Sequence, residues 1–354
     1  MNENIYWIAL SLIGISPLKV KMLMERFKDI KEIFSLSVND LVQLGITEKI
    51  AEKISKWENL PLEKEIDYIE KEGINVITIK DKNYPNLLKE IYDPPFLLYV
   101  KGNLNFNEFS ISIVGTRNPS HYGLKMAEKF ASELASIGFT IVSGLARGID
   151  TSAHIGALRV NGVTVGVLGS GFNYFYPPEN KRIEKEIIKK GAIITEFPSL
   201  VPPEKYNFPK RNRIISGLSK ATIVIEAGPK SGALITANFA LEQGREVFAL
   251  PGRIDTVYSK GTHKLLKDGA ILIENVQDIL EALNIKVEKK EKHMELEANE
   301  ENIILKILDR PLHIEEIMVK TKIKPENLFS ILTKLQIEDK IEELPGKIYR
   351  KKNF

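Results

Sequence analysis

Apolar, β-branched runs that end on a glycine turn and then open a helical pattern recur through the middle of this chain, and they leave few folds open to it. Ile111–Val114 runs into VGTRNPSHYG, Phe139–Val142 into SGLARGIDTSAH (Ser143 to His154), and Val163–Val167 into VLGSGFNYFYPPENKR. Strand, turn and helix in alternation demand right-handed crossovers and a parallel sheet. Strands are expected at Ser110–Val114, Thr140–Val142, Val163–Leu168, Ala192–Thr195, Thr222–Glu226, Glu246–Leu250 and Ala270–Leu272. The reading is an α/β core over 105–284, a doubly wound and mostly parallel sheet with its glycine turns gathered at the carboxyl edge.

The flanks read differently. Residues 1–60 keep apolar side chains at helical spacing (Ile5, Ile8, Leu12, then Val20, Leu23, Phe27, then Ile50, Ile54). Bends at Gly14 and Gly45 give the look of helix–hairpin–helix units, which can hold a DNA phosphate on backbone N–H groups. The block carries eight basic and eight acidic side chains, which favours a structural or interaction role over that one. Residues 61–104 form a connecting segment in which Pro85, Pro94 and Pro95 forbid a long helix. A charged stretch, 285–302, reads as a linker. Residues 303–354 then give three short helices and a hairpin around Pro345-Gly346, a winged helix. Its recognition helix mixes Lys324, Lys334 and Lys340 with Glu326, Glu338 and Asp339, which favours protein contact over duplex reading.

At 354 residues the chain is long enough for two or three domains, and a net charge of +3 leaves local charge to decide what it binds. With no cysteine, disulfides, thiol catalysis and cysteine-ligated metals are excluded. The opening MNENIYWIAL has no basic, long-apolar leader pattern and no run is long enough to span a membrane, so a cytoplasmic protein without membrane contact is expected.

Phosphate chemistry dominates the turns. Gly115 and Arg117 stand in the first, Ser143, Gly144, Arg147 and Gly148 in the second, Gly169, Gly171, Phe172 and Lys181 in the third. A fourth turn, Lys230-Ser231-Gly232, follows Glu226. Glycines let a ligand approach the backbone, and helix N-termini offer unpaired N–H groups. From Lys205 to Ala221 the chain carries five basic residues and no acid, among them Lys210, Arg211, Asn212 and Arg213. If that stretch is extended, Arg211 and Arg213 share one side. Tyr174, Tyr176, Tyr206 and Phe208 interleave with these cations, the mixture that single-stranded nucleic acid requires, although for any one ring a place in the core is the favoured reading. No catalytic set emerges. Asp150 and His154 are spaced for an i, i+4 contact that would brace the helix opening at Arg147. No P-loop is present, and LGSGFNYF lacks dinucleotide spacing.

In their order and spacing, VGTRNPSHYG, SGLARGIDTSAH, GSGFNYFYPPEN, FPKRNRIISGLS, EAGPKSGALITA and REVFALPG resemble the DNA-processing protein A (DprA/Smf) family. The resemblance covers about Tyr84 to Ala282. It implies an extended Rossmann-like core that binds single-stranded DNA, helps load the recombinase RecA in natural transformation, forms homodimers, and needs neither cofactor nor catalysis. It maps the family's basic pocket onto Arg117, Gly144, Arg147, Gly171, Lys181 and Arg211–Arg213. Members often place further lysines around the third turn, where this chain has Pro178 and Glu179. The dimer face implied lies around GTHKLLKDGAILI, with Leu265, Leu266, Ile271 and Leu272 as its apolar residues. The alternative is a nucleotide-binding enzyme of the phosphoribohydrolase type, whose P-G-G-x-G-T-x-x-E signature this chain lacks.

Overall fold

In the computed structural model, residues 4–104, 109–285 and 300–352 are described, apart from 322, 324 and 339. Most of the segment read as a linker, and Lys324 and Asp339 of the recognition helix, therefore lie outside the described residues. The chain forms two compact units, Met1–Asn284 and Ile285–Phe354.

The first unit is built on a nine-stranded sheet. In chain order its strands are β1 (Asn75–Thr78), β2 (Leu97–Gly102), β3 (Ser110–Val114), β4 (Thr140–Ser143), β5 (Thr164–Val167), β6 (Ala192–Thr195), β7 (Ala221–Val224), β8 (Glu246–Ala249) and β9 (Ile271–Leu272). Their spatial order is β1-β2-β6-β5-β4-β3-β7-β8-β9. From β6 to β9 every pairing is parallel, with Ile111 of β3 opposite Ile141 of β4 on one side and Ala221 of β7 on the other. The chain leaves β3 in one direction for β4 to β6 and returns beside it at β7, so the winding reverses at β3.

Strands β1 and β2 were not expected from the sequence. They extend the sheet antiparallel at β6, with Ile77 opposite Leu98 and Val100 opposite Ile194. The prolines that forbid a helix here end before Phe96, and the run Leu97–Val100 is buried on both faces.

Helices cover those faces. The amino-terminal helices α1 (Asn4–Ile13), α2 (Pro17–Arg26), α3 (Ile30–Phe34), α4 (Val38–Gln43), α5 (Glu48–Ser55) and α6 (Leu62–Lys71) share one apolar cluster with Leu97, Tyr99 and Ile193. Leu98, Val100 and Ile194 point the other way, as strand alternation requires, into a second cluster. The other helices of this unit are α7 (Asn86–Lys89), α8 (His121–Ser136), α9 (Ile149–Arg159), α10 (Lys181–Lys190), α11 (Asn207–Gly217), α12 (Gly232–Glu242), α13 (Lys260–Lys267) and α14 (Val276–Ala282). Of these, α11, α12 and α13 bury Ile214, Ala237 and Leu265 in the second cluster. Buried Glu65 of α6 accepts from the Ser199 N–H at 2.8 Å and also from its hydroxyl, tying the amino-terminal helices to the core.

The second unit is a winged helix. Helix α15 (300–307), α16 (Ile314–Thr321) and α17 (Pro325–Ile337) pack with a three-stranded sheet of β10 (Leu312–His313), β11 (Ile341–Leu344) and β12 (Ile348–Lys351). Its core includes Ile304, Ile317, Leu328, Leu335 and Tyr349.

Candidate nucleic-acid interface

The reversal at β3 opens a crevice of about 1000 Å³ between the loop after β3 and the loop after β7. Open α/β sheets place their ligands at this point because the loops diverge there.

On the first bank, Arg117 projects from the loop after β3, and its guanidinium lies 5.2 Å from the ring centre of Phe208. Arg211 lies 6.0 Å from the same ring, and Tyr176 packs against it at 5.7 Å. Gly115 is obligatory, since a Cβ there would stand 2.5 Å from Ile149. Glu226, at the end of β7, pins this loop by accepting from the Ser120 N–H (2.9 Å) and hydroxyl (2.5 Å). On the opposite bank Lys230 leads into α12, whose first turn Ser231 caps. Lys205 completes the rim. Arg117, Lys205 and Lys230 are exposed and make no ion pair among the described residues.

The turn after β4 departs from expectation. Helix α9 opens at Ile149, not at Arg147, with Gly148 (φ 77°) before it. Asp150 is buried, and its carboxylate takes the N–H groups of Gly144 (3.1 Å) and Ala146 (3.3 Å). The anion in this nest is the chain's own. Burial pushes the Asp150 carboxyl up to about 6, while Arg211 and the two amides pull the other way. Ser143 is buried and donates to the Ile113 carbonyl at 2.6 Å. Leu145 is held at φ 57°, a conformation a leucine adopts only when its surroundings impose it. Asn180 imposes it, donating to the Leu145 carbonyl (2.7 Å) and to the Thr151 hydroxyl (2.8 Å). Arg147 is thus displayed from a rigid turn. His154 does not meet Asp150: its Nδ1 donates to the Thr164 hydroxyl at 2.7 Å, and burial pushes it down to about 3.

The basic run after Lys205 is helical rather than extended. Pro209 falls in the first turn of α11, where its missing N–H costs nothing. Arg211 and Arg213 consequently part company. Arg211 is buried and donates to the carbonyls of Gly144 (2.6 Å) and Val167; burial pushes its guanidinium down to about 10. Arg213 lies fully inside, between Asp93 (3.0 Å) and Glu196 (2.6 Å). Lys210 leans on Glu196 at 3.6 Å. Of the polar residues in this run, Arg211 and Asn212 line the crevice, with Phe208, Pro209 and Ile215 beside them.

The third turn contributes packing more than charge. A Cβ on Gly171 would stand 2.0 Å from the Pro198 carbonyl, and one on Gly169 2.8 Å from Phe208. Phe172 is a buried core ring. Lys181 pairs with Glu184 at 2.9 Å. Tyr174, Tyr176 and Tyr206 remain exposed. Around α13 and β9, Leu265 is buried in the core, Leu266 and Ile271 are half-buried, and Leu272 is half exposed.

The structure therefore gathers Gly115, Arg117, Arg211, Asn212, Lys230, Ser231 and Gly232 around one crevice, with Gly144 and Arg147 in a small bay beside it. It turns Ser143, Phe172, Lys210 and Arg213 inward or onto acids. Tyr176 and Phe208, expected from the sequence as rings among the cations, line it too, and Asp150 and Lys205 join the lining without having been singled out as ligands. Among the described residues no His, Asp and Glu cluster could hold a metal, and no helix is long and apolar enough to cross a membrane.

Residues 75–284 match the family model of DNA recombination-mediator protein A, and 287–347 that of the DprA winged helix domain. The chain is 45% identical over 245 residues to Protein Smf of Escherichia coli, a match spanning 69% of this chain and 66% of that one. It is 40% identical over 290 residues to Protein Smf of Synechocystis, spanning 80% and 73%. Among solved structures, DNA processing protein A from Streptococcus pneumoniae superposes with a TM-score of 0.69 at 36% identity, over 78% of this chain and 96% of that one. The Helicobacter pylori protein, described by its unique single-stranded DNA binding mode, gives 0.54 at 32% identity over 59% and 95%.

Proposed function

The chain belongs to the DNA recombination-mediator protein A family, and from that premise we propose that its crevice binds single-stranded DNA without sequence preference. The observation that carries this reading is the rim of the crevice: three exposed cations that make no ion pair among the described residues, set beside an aromatic ring that two guanidinium groups flank. The cations neutralise successive phosphates, and the rings accept bases by their faces, which every base possesses. The amide of Asn212 in the lining is engaged by Arg211 and by the Gly232 carbonyl, at 3.3 Å each, so affinity is expected to follow phosphate count and salt.

On this reading the protein is a mediator rather than an enzyme. It delivers bound strands to RecA in the cytoplasm, serving recombination and natural transformation, and it acts as a homodimer. Fluorescence anisotropy of a labelled single strand of about 35 nucleotides against its duplex, at two salt concentrations, tests the binding step. Salt-sensitive preference for the single strand is expected. Equal or absent binding would overturn it and turn attention to a small nucleotide in the crevice.

A further inference from the structure

Four exposed cations line the crevice and its bay: Arg117, Lys205, Lys230 and Arg147. Among the described residues the first three make no ion pair, while Arg147 does. Its Nε–H donates to a carboxylate oxygen of Glu179 in a close ion pair. We propose that Glu179 is a built-in counter-anion for Arg147 that an incoming DNA phosphate must displace; the inference rests on reading the crevice as a single-strand site.

Placement argues that the contact is specific. Glu179 sits in the short turn Pro178–Asn180, and the next residue, Asn180, is buried and stapled to the Leu145 carbonyl and the Thr151 hydroxyl. The same side chain that fixes the Arg147 turn therefore fixes the Glu179 turn against it. Stability does not explain the pair. Its side chains are 59% and 46% exposed, and an ion pair so placed contributes little to a fold. A carboxylate and a phosphate oxygen make the same charge-assisted bond to a guanidinium, so the two compete for one donor. The pair keeps Arg147 extended toward the bay while lowering the net attraction that a strand feels there.

Single-strand affinity of Glu179→Gln, Arg147→Ala and the double variant, measured at fixed low salt, tests this. Glu179→Gln is expected to tighten binding about two- to fivefold, the worth of an exposed pair, at an unchanged melting temperature. In the Arg147→Ala background the same change should gain nothing. An equal gain in both backgrounds would reduce Glu179 to a general negative charge and overturn the proposal, as would no gain in either. If the wild-type protein binds no single strand, and Arg117→Ala changes nothing, the reading of the crevice itself fails and this inference with it.

Discussion

Arg211 and Arg213 stand two residues apart on α11, and the helix turns them about 200° from each other. One reaches the turn carbonyls at the crevice; the other is sealed between Asp93 and Glu196. Arg117, by contrast, is exposed and carries its charge at the rim. Replacing Arg117 by Ala should weaken single-strand binding for all sequences and lower the slope of log affinity against log salt by roughly 0.7, one phosphate contact. Titrations of two unrelated sequences at several salt concentrations check this. Arg213→Ala should do something else. It leaves buried Glu196 with only the longer contact to Lys210 and costs on the order of 3 kcal/mol in chemical unfolding. Whatever folded protein remains should keep the wild-type salt slope. A large affinity loss without lost stability would place Arg213 in the interface instead.

At the level of elements, α9 carries two buried titratable groups that pull stability in opposite directions with pH. Asp150 has its folded value raised to about 6, above the usual carboxylate range, so its contribution is present at low pH and lost as pH rises through about 6. His154, pushed down to about 3, contributes stability above the ordinary histidine range, and this is lost as the solution is acidified below it. Between pH 7 and 5 the two oppose each other. Asp150→Asn should leave the histidine effect alone, so wild type should gain on the variant by about 1 kcal/mol over that interval in paired urea titrations. A constant difference would mean that Asp150 does not titrate there. The strands of the parallel core were legible because each is a short β-branched run closed by a glycine turn. Strand β2 was hidden by the prolines on its amino-terminal side, and α11 by Pro209, whose place in a first turn no local pattern announces. The crevice was legible through its glycines and arginines. Their division of labour was not, because Asp150, Glu179, Glu196 and Asp93 reach those cations only in the folded chain, and each removes a charge that composition had counted as free.

For the whole molecule, the edge of the sheet matters most. Strand β9 ends the order, so among the described residues one side of its backbone has no strand partner, and Leu272 on it is half exposed. An unpaired edge with an apolar side chain is a template for association. The face proposed for the homodimer thus divides: Leu272 is available to a second copy, whereas Leu265 belongs to the core beneath α13. Leu272→Glu is expected to yield a monomer by light scattering with an unchanged circular dichroism spectrum, whereas Leu265→Glu should fail to fold. Two crevices in one dimer let a single strand engage both, the second binding event occurring at an effective concentration set by the span. Leu272→Glu should therefore weaken long strands, which can bridge the two sites, and leave strands that fill only one crevice unaffected. If the variant is monomeric yet binds both lengths as wild type does, each crevice works alone. If it remains dimeric, the interface lies elsewhere, and the exposed Ile254 on the loop after β8 becomes the residue to change.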